Sequence, residues 1–342
     1  MEENSKIDLR QMEQRPRHLA LEKWVHNLPD LEKDDRVDVI SSFIMKMIKK
    51  ALNFNKLDNL EIEAKIGRFF TTPNEWEWIS ESILSTPHML ILPFPHPKDN
   101  KSGAKAYGKQ NLFKFEPGIS KEHFYYLKWK LDTLVEKGEL RMSESQTQDN
   151  FYEGQIRETI NLSAHDKPIP SSTEERSTSN GHIDSAKLYI KKMEREDLNI
   201  RNKERDFRIS GCFEEQRRKV QGSVKYSRQK HRFTYAYEFM VFELTKVRQT
   251  SVSHTIYEIE LEIKDIQFLR GFLQQYESFR KLIKRFVLNI LSLANLLQYQ
   301  YLMDFHQFIQ LFYQKRFGDV QPIIGGYLAH DAFLDFLRSD DK

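Results

Sequence analysis

The chain has 342 residues, 39% of them hydrophobic and 30% charged, which is enough apolar material for the core of one large domain or two smaller ones. Its 53 Lys and Arg residues nearly balance its 50 Asp and Glu residues, so the composition does not indicate a uniformly basic surface, and any cationic site has to be local. Cys212 is the one cysteine of the sequence. This excludes an intramolecular disulfide and a thiolate metal cluster, and it favours a reducing compartment.

Residues 1–33 are polar and of mixed charge, and we expect them to form a flexible N-terminal segment. Residues 1–17 lack the apolar run of a signal peptide. The longest apolar stretch, residues 286–297, is too short to span a bilayer. We therefore expect a soluble, intracellular protein with no membrane association.

The first predicted element is an amphipathic helix over residues 34–52, where apolar residues recur at helical spacing. A strand follows at residues 60–67. Residues 87–110 are basic and contain Pro and Gly, so they are predicted to form a long loop. Residues 120–136 carry apolar side chains on one side of a second predicted helix.

Strand-like segments dominate the middle of the chain. The predicted strands cover residues 148–162, 187–200, 207–216, 220–226, 232–237, 238–249 and 255–263. Residues 165–184 are rich in Ser, Thr and Pro and are predicted to be a mobile insertion. From residue 265 the helical pattern returns, and residues 301–342 are predicted to form a helical tail packed on the domain. The pattern predicts an α+β domain over residues 34–300, with antiparallel strands able to close into a barrel.

Two of the predicted strands alternate acidic and aliphatic residues. Because successive side chains of a strand point to opposite faces, the acids of each strand share one face. These acids are Glu61 and Glu63 on the first strand and Glu258, Glu260 and Glu262 on the last. Like charges on one face repel each other, and a divalent cation bound by carboxylate oxygens relieves that repulsion. The pattern therefore indicates a site for Mg²⁺ or Mn²⁺.

Other predicted strands carry cations with the same period of two. Lys65 shares the face of the first acidic pair, and Lys230 shares a face with Arg232. A solvated outer face explains any single strand of this kind. Together, the strands also fit a barrel whose acids hold metal and whose Lys and Arg bind a multiply charged oxyanion, best a triphosphate. The sequence has no GxxxxGK[ST] loop and no Rossmann glycine pattern, so neither common nucleotide-binding scaffold is available.

Over residues 60–263 the sequence resembles the fungal and protist type of metal-dependent RNA 5′-triphosphatase, the β-subunit of the yeast-type mRNA-capping enzyme. That family belongs to the triphosphate tunnel metalloenzymes. The resemblance is carried, in order, by LEIEAKIG at residues 60–67, KHR at residues 230–232 and YEIELEI at residues 257–263. It implies a closed eight-stranded antiparallel β-barrel with a hydrophilic tunnel. It also implies Mg²⁺ or Mn²⁺ as cofactor, and hydrolysis of the γ-phosphate of triphosphate-ended RNA as the first step of mRNA capping.

The resemblance also implies roles for individual residues. The metal ligands are Glu61, Glu63 and Glu262, and the catalytic residues are Glu260, Glu214 and Arg232. The phosphate-binding residues are Arg157, Lys192, Arg208, Lys230 and Arg232, and the further tunnel residues are Lys65, Glu243 and Glu258. The chain departs from the family at Val241, where the family has an arginine.

The implied substrate is triphosphate-ended RNA, the implied partner an RNA guanylyltransferase and the implied location the nucleus. The oligomeric state is left open, a homodimer included. Two other functions stay open at this point. One is the same tunnel acting on inorganic polyphosphate or nucleoside triphosphates, and the other is a non-catalytic phosphate- or RNA-binding module. The complete set of Glu61, Glu63 and Glu262 argues against the module, because a binding protein does not need three metal ligands.

Overall fold

The structure is a computed structural model that describes residues 35–71, 89–91, 113–153, 156–162, 188–202, 205–217, 222–250, 252 and 254–297. The predicted N-terminal segment, the insertion at residues 165–184, the tail at residues 301–342 and most of the predicted loop at residues 87–110 lie outside these ranges. No helix among the described residues is both long and apolar enough to cross a membrane.

The described residues form four α-helices and ten β-strands. The helices are α1 (Asp35–Asn53), α2 (Lys121–Glu136), α3 (Ile266–Arg270) and α4 (Tyr276–Leu296). The strands are β1 (Leu60–Thr71), β2 (Met89–Ile91), β3 (Phe113–Pro117), β4 (Arg141–Phe151), β5 (Ile156–Asn161), β6 (Leu188–Asn202), β7 (Asp206–Arg217), β8 (Tyr226–Tyr237), β9 (Met240–Gln249) and β10 (Ile256–Ile263).

Eight of the described strands close into an antiparallel barrel. The hydrogen-bonded order runs β1, β10, β9, β8, β4, β5, β6 and β7, and β7 pairs again with β1. The short strands β3 and β2 extend the barrel wall at the far ends of β1 and β6. The predicted α+β fold with a closed eight-stranded antiparallel barrel is confirmed.

The outward faces of the barrel strands form the core with the helices. The aliphatic residues between the acids of β1 and β10 are all buried: Ile62, Ala64, Ile66, Ile259, Leu261 and Ile263. They join one apolar cluster with α1, α2 and α4. Helix α1 lies so close to β7 that a Cβ on Gly211 would come within 2.7 Å of Met47 Cε. Because the apolar faces point outward to the helices, the charged faces of the same strands point into the barrel.

Several predicted boundaries are wrong. The strand predicted over residues 148–162 is two strands, because the chain turns after β4 and the Tyr152 amide donates to the Ile156 carbonyl at 2.9 Å. Residues 222–225 are not part of a strand, since Gly222 has φ 138°, which is outside the β region. Within the predicted loop, Met89–Ile91 is a strand because it pairs with the end of β6.

Candidate active site

The barrel encloses a cavity of about 680 Å³ whose lining is mostly charged. Every site residue predicted from the sequence lines this cavity: Glu61, Glu63, Lys65, Arg157, Lys192, Arg208, Glu214, Lys230, Arg232, Glu243, Glu258, Glu260 and Glu262. The alternation of each strand places these side chains inside, and barrel closure brings the first and last strands together. We call this cavity the lumen.

The carboxylates predicted to bind metal come from the two adjacent strands β1 and β10. Glu63 and Glu262 are register partners across this pair, and Glu61 lies on the same face of β1. Each of the three has a lysine neighbour among the described residues. The Nζ–Oε distances are 2.5 Å for Lys192–Glu61, 3.4 Å for Lys65–Glu63 and 2.6 Å for Lys264–Glu262.

The donor chemistry of this group fits a hard divalent cation. Burial raises the pKa of Glu262 to about 7 against the lowering effect of Lys264, and the charges of Glu243 and Glu61 add to the rise. A carboxylate whose ionisation is suppressed by neighbouring acids is one that a divalent cation stabilises. In the described part of the chain, with these side-chain orientations, no three Asp, Glu, His or Cys side chains are close enough to hold an ion. Binding of one ion by all three carboxylates would therefore need other side-chain orientations.

The other two acids of β10 share one buried cation. Lys65 Nζ lies 2.6 Å from Glu260 Oε1. Burial alone would raise the pKa of Glu260, but Lys65 and Arg232 outweigh it and hold that pKa well below its usual range. Burial raises the pKa of Glu258, and Glu260 adds to this rise although Lys65 opposes it. Glu260 is therefore ionised at neutral pH.

The cations of β8 face acids of the two flanking strands. Lys230 Nζ lies 2.7 Å from Asp149 on β4, and Arg232 Nη1 lies 3.0 Å from Glu243 on β9. Burial lowers the pKa of Lys230, and Arg232 and Arg157 contribute although Asp149 opposes them. The sequence prediction missed Asp149, although it stands two residues from Phe151 and Thr147 on a polar strand. Its carboxylate is almost fully buried, at 2% exposure.

On the opposite wall, Glu214 contacts two of the predicted phosphate-binding residues. Its Oε1 lies 3.3 Å from Lys192 Nζ and 3.4 Å from Arg157 Nη2. Lys192 thus bridges Glu214 and Glu61. This contact connects the predicted phosphate-binding side of the lumen with the predicted metal ligands.

A β-bulge in β6 brings an unpredicted arginine into the lumen. The register of β6 against β7 shifts between Lys192 and Arg195, so the lumen face passes from even-numbered to odd-numbered positions. Arg195 consequently lines the lumen. Its guanidinium donates to Asp197 and to Ser210, each at 2.7 Å. Simple alternation from Lys192 points to Glu194 instead, so the sequence pattern does not reveal Arg195.

The departure from the family at Val241 lies directly beside the predicted metal ligands. Val241 is the register partner of Glu262, and its side chain is buried. The cation next to Glu262 comes instead from Lys264, at the end of the same strand.

Cys212 is buried in β7. Burial raises the pKa of its thiol to about 11. The thiolate is therefore scarcely populated at neutral pH.

Comparison with known proteins identifies a family for the chain. The family described as mRNA capping enzyme, beta chain, matches residues 31–299. The fold is similar to that of the S. pombe Pct1 RNA triphosphatase, with a TM-score of 0.55 and 20% identity over 79% of this chain and 99% of that chain. In complex with the Spt5 CTD, the same S. pombe protein gives a TM-score of 0.56 at 20% identity, over 79% of this chain and 96% of that chain.

No curated protein matches the chain by sequence. The family match nevertheless covers well over half of the residues, and the barrel architecture agrees with it. The chain therefore belongs to the mRNA triphosphatase family, the β chain of the mRNA capping enzyme, and is an mRNA 5′-triphosphatase.

Proposed function

We propose that the 5′-triphosphatase reaction takes place in the lumen and depends on Mg²⁺ or Mn²⁺. The observation that carries this proposal is the group of carboxylates contributed by β1 and β10 at one side of a cavity whose other walls carry Lys and Arg. Glu61, Glu63 and Glu262 would hold the ion. When bound, it would offset charge on the terminal phosphoryl group and polarise its oxygens.

The cations of the lumen bind and orient the triphosphate. Lys230 and Arg232 on β8 donate charge-assisted hydrogen bonds to phosphate oxygens, and Arg157, Lys192 and Arg208 do so from β5, β6 and β7. In the described structure each of the β8 pair contacts an acid. These acids hold the cations in place before the substrate arrives, so less ordering is needed when it binds.

Glu260 and Glu214 orient the water that attacks the terminal phosphorus. An ionised carboxylate accepts a hydrogen bond from the water and can take up its proton at a carboxylate oxygen. Lys65 and Arg232 keep the pKa of Glu260 low, so Glu260 is in the accepting form at neutral pH. Lys65, Glu243 and Glu258 hold these groups in position.

The proposal is tested by measuring phosphate release from triphosphate-ended RNA with Mg²⁺, with Mn²⁺ and with a chelator. Glu61→Gln and Glu262→Gln should each lower kcat by at least about a hundredfold, the scale expected for loss of a charge contact in the transition state. Glu215→Gln is the matched control, because it pairs with Lys191 in the ladder and lies on the outer face of β7. Normal activity in both lumen variants would show that the metal assignment is wrong.

The same assay separates the proposed substrate from the alternatives. ATP and tripolyphosphate are run beside triphosphate-ended RNA, because the lumen cations recognise phosphate in all three. Faster turnover of tripolyphosphate than of RNA would favour a polyphosphatase. Absence of turnover with every substrate and metal would favour a binding module.

We also propose a nuclear location and an RNA guanylyltransferase as partner, both in keeping with membership of the capping enzyme β-chain family. The oligomeric state stays open, a homodimer included. Co-purification of a tagged full-length chain with guanylyltransferase activity tests the partner, and light scattering of the purified chain tests the oligomeric state.

A further inference from the structure

Two aromatic rings stand face to face on the lumen side of the barrel. Phe151 ends β4, Tyr226 begins β8, and the two are register partners. Their centroids are 4.5 Å apart and their planes differ by 11°. Tyr226 lies two residues before Arg228 on β8, and Phe151 and Arg228 line the lumen. Both rings are half-buried.

Arg228 lies against this pair and differs from the other cations of its strand. Its guanidinium carbon is 5.4 Å from the Phe151 centroid and 5.7 Å from the Tyr226 centroid. Its Nε donates to the Gln249 amide oxygen at 3.0 Å. Among the described residues, no carboxylate forms an ion pair with Arg228, whereas Lys230 and Arg232 each pair with an acid. Arg228 thus lies beside the rings without a direct ion pair among these residues, although its charge opposes the burial that raises the pKa of Glu258.

The order of side chains along β8 gives the lumen a direction. On its lumen face, Arg232 is followed toward the start of the strand by Lys230, Arg228 and then Tyr226. In the other direction the same face continues with Thr234 and Ala236, which carry no charge. Val241, the partner of Glu262, and Gln249, the partner of Arg228, lie at opposite ends of β9. Glu262 and the aromatic pair therefore lie toward opposite ends of this wall, and Phe151 is also the register partner of Arg157, a predicted phosphate-binding residue.

We propose that Phe151, Tyr226 and Arg228 bind the first nucleotide of the RNA, its nucleobase stacking on the aromatic pair and a phosphate contacting Arg228. This inference rests on the proposed function, because the terminal phosphoryl group has to lie beside the carboxylates. The rest of the substrate then extends along the cations of β8 toward the rings. Aromatic rings and arginine planes are the usual stacking surfaces for single-stranded RNA bases.

A cross-strand aromatic pair can also serve only to stabilise a sheet, so the test has to separate binding from stability. Triphosphate-ended RNA is the substrate and tripolyphosphate, which has no base, is a competing inhibitor. We compare wild type with Phe151→Leu and Tyr226→Leu, which keep an apolar side chain. Phe268→Leu is the control, because Phe268 stacks on Phe239 at 5.7 Å outside the lumen.

We expect the KM for triphosphate-ended RNA to rise about tenfold in the two lumen variants, as for loss of one stacked base. The inhibition constant of tripolyphosphate should change less than about twofold, and Phe268→Leu should match wild type. Arg228→Lys keeps the charge but loses the planar guanidinium, so its KM for RNA should rise as well. Arg228→Lys keeps the proposal testable if Phe151→Leu or Tyr226→Leu does not fold.

An equal loss for RNA and tripolyphosphate would show that the pair only supports the barrel. An unchanged KM for RNA would show that the rings do not contact the nucleotide. Both results would overturn the inference and leave the proposed function intact. Failure of the wild-type protein to release phosphate from triphosphate-ended RNA would overturn both.

Discussion

Lys65 lies where three carboxylates of the lumen meet. Its Nζ is 2.6 Å from Glu260 and 3.4 Å from Glu63. Burial would lower the pKa of Lys65, but Glu260, Glu63 and Glu258 outweigh it and hold that pKa above its usual range. Lys65 is therefore the cation that allows these acids to be buried together.

We expect Lys65→Met to destabilise the metal-free protein by about 3–5 kcal/mol, because buried acids lose their compensating charge. The free energy of unfolding is measured by denaturant titration in the presence of a chelator. Lys114→Met is the control, since Lys114 and its partner Glu116 are both well exposed and such surface pairs contribute about 0–1 kcal/mol. Equal losses in the two variants would contradict the role given to Lys65.

For a single residue, the sequence reveals which face of its strand the side chain occupies, but not which residue of a neighbouring strand it contacts. Alternation correctly places Glu61, Glu63 and Lys65 together inside the lumen. The pair formed by Lys230 and Asp149 was not predictable, because it depends on the register between β8 and β4. Register is set by turn geometry and by the burial of the whole face, which a single strand does not show.

Among the elements, β6 shows how one extra residue changes the site. Up to Lys192 its lumen positions follow the predicted alternation, and after the bulge they include Arg195 and Asp197. Glu194 points outward, where its carboxylate lies 2.7 Å from Lys50 of α1. A bulge has no reliable signature in the sequence, so the lumen position of Arg195 could not be predicted.

We expect Arg195→Ala to lower kcat/KM for triphosphate-ended RNA by at least about tenfold, because a cation of the lumen is lost. Glu194→Ala should change it by less than about twofold, because this exposed side chain contacts only the outside of the barrel. The two adjacent residues form a matched pair. A larger effect at Glu194 would mean that β6 is regular and that the bulge is misplaced.

Other elements were predicted to different degrees. The spacing of apolar residues was sufficient to predict α1 and α2, because the apolar side of each helix packs into the same core. The predicted helical region from residue 265 is interrupted at residues 271–275, where α3 ends and α4 has not begun. Strand β2 has only three residues and is held by its pairing with β6, so local sequence carries little signal for it.

For the molecule as a whole, the fold depends on joining the first and last strands of the barrel. This junction between β1 and β10 brings the acids Glu63 and Glu262 face to face. Because the pKa of Glu262 is raised to about 7, this carboxyl stabilises the fold fully below its unfolded pKa of roughly 4.3. That contribution is lost as the pH rises through about 7.

We therefore expect millimolar Mn²⁺ or Mg²⁺ to raise the melting temperature, because the ion binds the folded state alone. The rise should be larger at about pH 8 than at about pH 6, since Glu262 has to lose its proton to bind the ion. Melting curves of wild type and Glu262→Gln, each with metal or chelator, measure this. A pH-independent rise, or the same rise in Glu262→Gln, would contradict metal binding by Glu262 at this junction.

The described lining of the lumen contains acids and bases in nearly equal numbers, so the bore is close to electroneutral before any ligand enters. A polyanion arriving alone would then gain little long-range attraction, and a divalent ion arriving alone would meet lysines already paired with the carboxylates proposed to bind it. Binding of either ligand, the polyanion or the divalent ion, would therefore improve the electrostatic environment for the other. By thermodynamic reciprocity, the factor by which the ion tightens triphosphate is the factor by which triphosphate tightens the ion. If the proposed ion binds there, the loss of one phosphoryl group would loosen it as well, and the same charge balance would help the tunnel to empty after turnover.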